Sequence, residues 1–589
     1  MNEKISLKYI FKLLLENKKP LIFGQIITIF AILISIPIPL LLPLLVDEVL
    51  LEKPAFIVNN LKDLGIESIL YYIVIVTFVV LFLRFAHLLL GVITTKIFTK
   101  ISKYVTFNIR KKLLNHLKIV NMNEYESLGS GSIAANLITD VNTLDNFIVS
   151  SSSKLVASTL TLLAVAIVII KIDLILGLMI LFIQPIIMIL SKKIVNKTGE
   201  LKKEENKTIE LFQNNINETL DLFGQIKASN KENFFFENSI KKAKDIQIAS
   251  NEFNYKSVAY ERFSFTIFLF AFEIFRGVGL IMVAYSDLSI GLMFAMFGYI
   301  WFIMTPIQDI LTIQYSLASA KAAINRINKI LDLECEKTGK IVLDKNSKKV
   351  DISIRNLSFS YKKDKETLKD ISFDIKSGEK IAIIGSSGSG KTTISQIISG
   401  FYAKTSGDIL YNNISVDEID KHSLRDNIFL VLQMPILFNN TLRFNITMGD
   451  DSISDEKIYE ALKIAQLYDT VINMSEKLDT IVGKYGIRLS GGQRQRLSIS
   501  RMIIANPNVI IFDESTSALD VHTETKLFSD LEKFLEDKTV ITIAHRLSTV
   551  KNASYVYVLE DGKLVQQGTH KELEQKEGHY LEFVKQQLI

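Results

Sequence analysis

Six long apolar segments restrict the fold of this chain more than any other feature of its sequence. They lie in the first half of 589 residues, near 20–46, 67–95, 150–171, 174–192, 262–285 and 288–312. Each approaches or reaches the length, about 20 residues, with which a helix crosses a bilayer. Only Lys171-Ile172-Asp173 separates the third segment from the fourth, which predicts a tight hairpin. We therefore expect an all-α membrane domain of six helices over residues 20–315.

The charges of the connecting segments predict which side of the membrane they face. Residues 1–19 carry five lysines and are typical of an amphipathic helix on the membrane surface. Segments 96–149 and 193–261 are long and rich in Lys and Arg, whereas 47–67 leans acidic. Because Lys and Arg mark the cytoplasmic side, we expect both termini and the second half of the chain to lie on the cytoplasmic side of a bacterial cytoplasmic (inner) membrane.

A glycine-rich stretch in the second half is suited to hold the phosphates of a nucleotide. It fits the pattern G-x-x-x-x-G-K-[ST], follows the apolar strand 381–384 and precedes the helical segment 393–398. Its backbone N–H groups can converge on phosphate oxygens at a helix N-terminus. Lys391 can reach the outer phosphates and the Thr392 hydroxyl can bind magnesium. The predicted ligands are Gly385, Ser386, Ser387, Gly388, Ser389, Gly390, Lys391, Thr392 and Thr393.

Further motifs follow in a fixed order. The pentapeptide Leu489-Ser490-Gly491-Gly492-Gln493 comes first, and the apolar strand Val509-Ile510-Ile511-Phe512-Asp513 ends in a carboxylate. Ser517-Ala518-Leu519-Asp520 and His545 come after it. In this order and at this spacing, the motifs resemble the ATP-binding cassette of ABC transporters over residues 351–589. The resemblance implies an α/β P-loop nucleotide-binding domain with ATPase activity that uses ATP and Mg²⁺.

The same resemblance implies how a nucleotide would be held outside the loop. Tyr361 matches the aromatic residue on which adenine stacks, since an aromatic face accepts a flat base. The pentapeptide would close over the nucleotide of an opposite subunit, at a second helix N-terminus. Its contacting residues would be Ser490, Gly491, Gly492 and Gln493. Each ATP would then lie between two chains, and a homodimer is implied.

Catalysis and metal binding are implied for a smaller set of residues. Glu514 would be the general base that orients and deprotonates the water attacking the γ-phosphate. His545 matches the histidine that contacts the γ-phosphate and braces Glu514. The implied magnesium ligands are Thr392, Gln433 and Asp513, with Asp513 acting through water. The alternatives are ordinary structural roles, such as a loop glutamine for Gln433.

The segments around the two domains also carry expectations. Residues 318–332 have helical periodicity and extend the sixth span, and the polar stretch 334–349 is typical of a connector. The pattern of cytoplasmic segments is similar to the exporter-type fold, in which short helices touch the cassettes; the candidates are 122–133 and 220–228. The predicted divisions are an amphipathic segment 1–19, a membrane domain 20–315, a linker 316–350 and a cassette 351–589.

Composition limits the partners. A net charge of +5 is too small for this length to favour nucleic acid. Membrane lipid and an amphipathic small molecule, lipid or peptide are the expected partners beside a second identical subunit. Cys335 is the one cysteine, fits a reducing compartment and is interpreted as structural. Lys484 stands where exporters commonly have Glu, which puts a usual contact with the cytoplasmic loops in doubt.

ATP-driven export or flipping of an amphipathic substrate, by alternating access, is the function that the resemblance favours. An importer that uses the exporter fold and a nucleotide-gated channel or regulatory subunit are the alternatives. Charged residues inside the spans either line a polar substrate cavity or fasten helices, and the sequence leaves both open. These residues are Arg84, His87, Glu273 and Arg276.

Overall fold

The chain folds into two compact units. The computed structural model describes residues 4–53, 56–63, 68–361, 365–483, 486–513, 519–544 and 546–588. One unit comprises Met1–Leu113 and Ala134–Leu331, and the other comprises Leu114–Ile133 and Asp332–Ile589. The described part of the first unit is helical, and the second combines helices with two sheets. The predicted fold class is therefore confirmed.

The first unit is dominated by four helices of more than 40 residues. In chain order as far as Leu331, and including α6 of the second unit, the helices are α1 (Leu7–Glu16), α2 (Lys18–Ser35), α3 (Ile38–Leu45), α4 (Phe56–Asp63), α5 (Ile69–Leu117), α6 (Met122–Leu128), α7 (Ser130–Ala135), α8 (Val141–Val149), α9 (Val156–Ile172), α10 (Leu174–Asp221), α11 (Phe223–Ala228), α12 (Glu232–Tyr285) and α13 (Ile290–Leu331). π-Helical turns at Val46–Leu50, Asn136–Asp140 and Ser150–Leu155 adjoin these helices.

Most of the predicted membrane spans coincide with long apolar helices. Five helical stretches among the described residues have the length and composition to cross a membrane: Lys18–Leu50, Ile69–Leu117, Ser130–Ile172, Glu232–Tyr285 and Ile290–Ile310. The predicted span 174–192 occupies the first part of α10, where most side chains lie outside the described set. The chain thus has the helices of an integral membrane protein, and the number of six spans stays a prediction.

The second half of the first span packs closely against the start of α13. The Tyr299 hydroxyl donates a hydrogen bond of 2.6 Å to the carbonyl of Ile36. The Gly291 N–H donates to the buried Asp47 carboxylate at 2.9 Å. A Cβ atom at Gly291 would lie 2.4 Å from the Pro43 carbonyl oxygen, so only glycine allows this approach.

The second unit is built on a four-stranded and a six-stranded sheet. The strands are β1 (Ile352–Phe359), β2 (Leu368–Ile375), β3 (Lys380–Gly385), β4 (Ser406–Tyr411), β5 (Ile414–Ser415), β6 (Ile428–Val431), β7 (Val509–Asp513), β8 (Thr539–Ile543), β9 (Tyr555–Glu560) and β10 (Lys563–Gly568). The smaller sheet is antiparallel in the order β2-β1-β4-β5. The larger has the order β10-β9-β3-β8-β7-β6, parallel except for β10.

Helices cover the sheets of the second unit. They are α14 (Lys391–Ile398), α15 (Lys421–Asn427), α16 (Leu442–Thr447), α17 (Asp455–Ile464), α18 (Tyr468–Ile472), α19 (Gly491–Ala505), α20 (Val521–Leu531), α21 (Leu547–Lys551), α22 (His570–Glu574) and α23 (His579–Leu588). Strand β7 is apolar up to its last residue and buried along its whole length, as expected of a parallel strand covered on both faces. Since β3, β8 and β7 are neighbours and parallel, their carboxyl ends share one edge, where ligands of such sheets bind.

The segment with α6 belongs to the second unit, although it lies between two spans in the sequence. The Asn121 N–H donates to the Glu334 carbonyl at 2.9 Å, and the Glu336 N–H donates to the Ile119 carbonyl at 2.7 Å. Met122 packs against the apolar core beneath the smaller sheet. Cys335 is partly buried beside these bonds, and burial raises the pKa of its thiol.

Gly339 is expected to be intolerant of even the smallest side chain. A Cβ atom there would lie 1.8 Å from the carbonyl carbon of Glu418, where the backbone of the linker bonds to that of the segment before α15. Backbone would have to move, so we expect Gly339→Ala to cost about 1–3 kcal/mol and to lower the melting temperature. Thermal unfolding of the purified chain measures this. Gly131→Ala is the control, since a Cβ there meets nothing within 4 Å; equal melting temperatures for the two variants would contradict the prediction.

Candidate nucleotide site

The loop between β3 and α14 curls around the lysine that begins α14. The Lys391 ammonium donates to the carbonyls of Gly385, at 3.0 Å, and Ser386, at 2.8 Å. Gly390 has a φ of +101°, which favours glycine, and a Cβ at Gly385 would lie 2.0 Å from the Leu559 carbonyl oxygen. The loop therefore needs its glycines, and it brings the ammonium and the N-terminus of α14 to one place. The remaining predicted residues of the turn are Ser387, Gly388 and Ser389.

Two of the three side chains predicted to hold magnesium meet at the edge of the sheet. The Thr392 hydroxyl donates to the Asp513 carboxylate at 3.2 Å, and Asp513 is 2% exposed at the end of β7. A hydroxyl and a carboxylate are hard oxygen donors of the kind that Mg²⁺ takes up. These residues fit the ion. Gln433 follows β6, and its carbonyl accepts a bond of 3.2 Å from the buried Gln495 side chain.

Tyr361 is held in a cluster of aromatic rings beside the loop. Its ring meets those of Phe359 and Tyr402 edge to face, with centroids 4.8 and 5.3 Å apart. Its hydroxyl lies 3.1 Å from the Thr393 hydroxyl and donates to the Gln396 side chain at 3.2 Å. Burial raises the pKa of Tyr361. Tyr361 is still 36% exposed as a residue, so its ring can offer a flat apolar surface whose orientation these contacts restrict.

The signature pentapeptide forms the N-terminus of α19. The Ser490 hydroxyl accepts from the Gln493 N–H at 3.2 Å, and the Gln493 side chain accepts from the Ser490 N–H at 2.8 Å. This capping box leaves Ser490 exposed and Gly491 and Gly492 half-buried in the first turn. Among the described residues, no hydrogen bond joins the pentapeptide to the phosphate loop.

Two polar contacts near the site carry no motif signal in the sequence. The Arg546 guanidinium donates to the buried Glu524 carboxylate of α20 and, at 3.4 Å, to the carbonyl of Leu519. The second is the Tyr402 hydroxyl, which donates to a carboxylate of α6. Arg546 follows a predicted site residue directly, which is the one local hint for it. For Tyr402 the sequence offers none, because its partner lies 276 positions away.

Comparison with known proteins agrees with this geometry. Residues 21–307 match the ABC transporter transmembrane region, and residues 368–517 match the ABC transporter family. A candidate multidrug export ATP-binding/permease protein of Bacillus subtilis (strain 168), YgaD, is 30% identical over 81% of this chain and 82% of its own length. The chain is an ABC transporter. As a member of that family it hydrolyses ATP to drive transport.

Further comparisons place the whole chain in one architecture. The transporter is 30% identical to the candidate multidrug export ATP-binding/permease protein SAV1866 of Staphylococcus aureus (strain Mu50 / ATCC 700699). The match covers 96% of the transporter and 98% of the relative. The structure of a bacterial Atm1-family ABC exporter with ATP bound covers 97% of the transporter and 99% of its own chain, with a TM-score of 0.85 at 21% identity. The transporter thus has the fold of an ABC exporter.

Three predicted positions of the ABC transporter lie outside the described residues. They are Glu514, His545 and Lys484. The strand ends that lead to the first two are described: Asp513 of β7 pairs with Ile543 of β8 in parallel register. In the sequence, Glu514 directly follows Asp513, and His545 comes two residues after Ile543. Their catalytic roles stay predictions.

Of the four charged residues in the predicted spans, Glu273 and Arg276 contact each other within one helix, whereas His87 reaches from α5 to α2. Glu273 and Arg276 bond each other at 2.6 Å along α12, and about half of each side chain is exposed. Arg84 is also exposed on α5, while a ring nitrogen of His87 lies 3.0 Å from the Ala31 carbonyl. Exposed charge in lipid is costly, and whether these residues line a polar cavity or fasten helices stays a prediction.

Proposed function

We propose that this transporter exports or flips an amphipathic substrate across the bacterial cytoplasmic membrane, as a homodimer that works by alternating access. One observation carries the proposal: a helical membrane unit is fused to an ATP-binding unit in which, among the described residues, no hydrogen bond joins the signature to the phosphate loop. The exporter fold and relatives named for multidrug export support the direction.

The homodimer is proposed as the way in which each nucleotide site is completed. Among the described residues, no hydrogen bond joins the N-terminus of α19 to the phosphate loop of the same chain, and the resemblance to ABC transporters implies that the signature closes over the nucleotide of an opposite subunit. A second copy can supply its own exposed Ser490 and so close each nucleotide between two chains. ATP binding would draw the cassettes together, and hydrolysis would release them.

Each residue would take a defined part in hydrolysis. The Lys391 ammonium and the N–H groups at the start of α14 would hold the phosphates, and adenine would stack on Tyr361. Thr392, Gln433 and Asp513 would hold magnesium, whose charge would neutralise part of the phosphate charge. Glu514 would take a proton from water, whose oxygen attacks the γ-phosphorus while ADP leaves. His545 would contact the γ-phosphate.

The charged residues of the spans would line the substrate path. Neutralising Glu273 and Arg276 together, as Glu273→Gln with Arg276→Gln, is expected to change substrate-stimulated ATPase activity at least about threefold while basal activity stays near wild type, since such groups would contact substrate. ATPase assays with and without a fluorescent amphipathic dye measure this. Arg262→Gln, nearer the N-terminus of the same helix, is the matched control. Equal loss of both activities, with a lower melting temperature, would contradict the assignment and indicate a structural pair.

Direction of transport tests the proposal as a whole. In inside-out vesicles the cassettes face the medium, so an exporter fed ATP should accumulate the dye, or a fluorescent phospholipid, inside the vesicle. Loss of preloaded dye on ATP addition would favour the importer alternative. Passive, ATP-gated equilibration without sustained hydrolysis would favour a channel. Either of these two results would overturn the export proposal.

A further inference from the structure

Helix α6 reaches the aromatic cluster that holds Tyr361. The Tyr402 hydroxyl donates a hydrogen bond of 2.9 Å to the Glu126 carboxylate, and Tyr402 is only 9% exposed. We propose that Glu126 is a positioning residue for ATP: through Tyr402 it fixes the surface of Tyr361 that receives the adenine ring. The inference rests on the adenine-stacking role assigned to Tyr361 above.

The geometry shows how the effect would pass from one side chain to the next. The ring of Tyr402 abuts that of Tyr361 at 5.3 Å and 84°, an edge-to-face contact that depends on orientation. On another side Tyr361 meets Phe359, which the core of the smaller sheet buries. The Tyr361 hydroxyl is anchored on α14 through Thr393 and Gln396. Of these supports, Tyr402 is the one whose polar end is held by the segment between two spans.

The hydrogen bond between Tyr402 and Glu126 joins a buried hydroxyl to a carboxylate. Burial and, after it, the hydrogen bond to Glu126 raise the pKa of Tyr402, so its hydroxyl stays protonated and donates throughout the physiological range. The charge of Glu126 also contributes to the raised pKa of Tyr361, after burial. Bonds to a charged acceptor are about twice as strong as bonds between neutral groups. A neutral amide at position 126 would therefore hold Tyr402 less firmly but would still accept.

The consequence is that recognition of the base depends on a residue outside the cassette sequence. Phosphate binding does not share this dependence, because the loop is shaped by its own glycines and by Lys391. A change at Glu126 should thus alter affinity for ATP and leave affinity for a phosphate chain without a base unaltered. This separation distinguishes positioning of the adenine surface from general support of the fold.

The test uses the purified full-length transporter and inorganic tripolyphosphate as a competitive inhibitor that lacks a base. Glu126→Ala is expected to raise the KM for ATP about three- to tenfold, with kcat and the Ki of tripolyphosphate unchanged, since one buried hydrogen bond to a charged group is lost. Glu126→Gln should give an intermediate KM. Glu124→Ala removes a like charge from the same helix and should leave the KM at its wild-type value, because Glu124 makes no described side-chain bond.

The outcomes separate this inference from the function on which it rests. An unchanged KM in Glu126→Ala, or an equal rise in the Ki of tripolyphosphate, would overturn the positioning role. Tyr361→Ala is measured alongside: if it raises the KM and Glu126→Ala does not, the inference alone fails. If Tyr361→Ala also leaves the KM unchanged, the adenine-stacking role itself is wrong.

Discussion

Glu514→Gln is expected to slow ATP hydrolysis by at least about 10²-fold, and up to about 10⁴-fold, while ATP still binds. The amide keeps the size and hydrogen bonding of the carboxylate but cannot take a proton from water. The groups that would hold the nucleotide, Lys391, Thr392 and Tyr361, are untouched. Without cleavage of the γ-phosphate the two cassettes should stay closed, so retained nucleotide should rise as the rate of phosphate release falls.

Lys391→Ala is the comparison for this variant. It removes the ammonium that lies at the phosphate loop, so ATP binding itself should weaken and no nucleotide should be retained after gel filtration. Phosphate release and bound nucleotide are measured for both proteins side by side. Hydrolysis near the wild-type rate in Glu514→Gln would show that Glu514 is not the base.

Ser490→Arg is expected to abolish hydrolysis without abolishing ATP binding. The substitution places a long cation at the exposed N-terminus of α19 and removes the capping hydroxyl, whereas the phosphate loop is unchanged. Loss of a cap costs only about 1 kcal/mol, which is too little to unfold the domain, so the effect should lie in turnover. Phosphate release and ATP binding report the two properties separately.

Mixed dimers give this prediction its sharpest form. A dimer of one Ser490→Arg chain and one Lys391→Ala chain keeps one site in which an intact loop faces an intact signature, and it should recover measurable hydrolysis. A chain with both substitutions, paired with a wild-type chain, leaves no intact site and should stay inactive. The two dimers carry the same substitutions, so equal activities would contradict a nucleotide site shared between chains.

Local sequence patterns sufficed to predict the strands that bear the site. The apolar run 509–513 coincides with β7, and 381–384 lies within β3, because a buried parallel strand is a continuous apolar segment closed by polar or glycine residues. The predicted short helices between the spans are also present, as α6, α7 and α11. Gly129 separates α6 from α7 with a φ of +76°, as a turn glycine would.

Contacts between distant parts of the chain could not be predicted in this way. Nothing in the composition around Glu126 or Tyr402 indicates that they meet, since the bond depends on how the segment after α5 returns to the smaller sheet. The same holds for Gly291. That this position admits no side chain becomes evident only when α3 is packed against α13. Patterns along the chain predict elements, whereas packing between elements determines these residues.

The assignment of residues 114–133 to the nucleotide-binding unit bears on how that unit can be produced alone. A protein that begins at Asp332 would lack the segment whose backbone bonds to that of Glu334 and Glu336. The apolar surface that Met122 covers would then be exposed to water. Such a truncated cassette should be less soluble, and should bind adenine nucleotides more weakly, than the same unit within the full-length chain. Adding a synthetic peptide of residues 114–133 in trans should restore part of both properties.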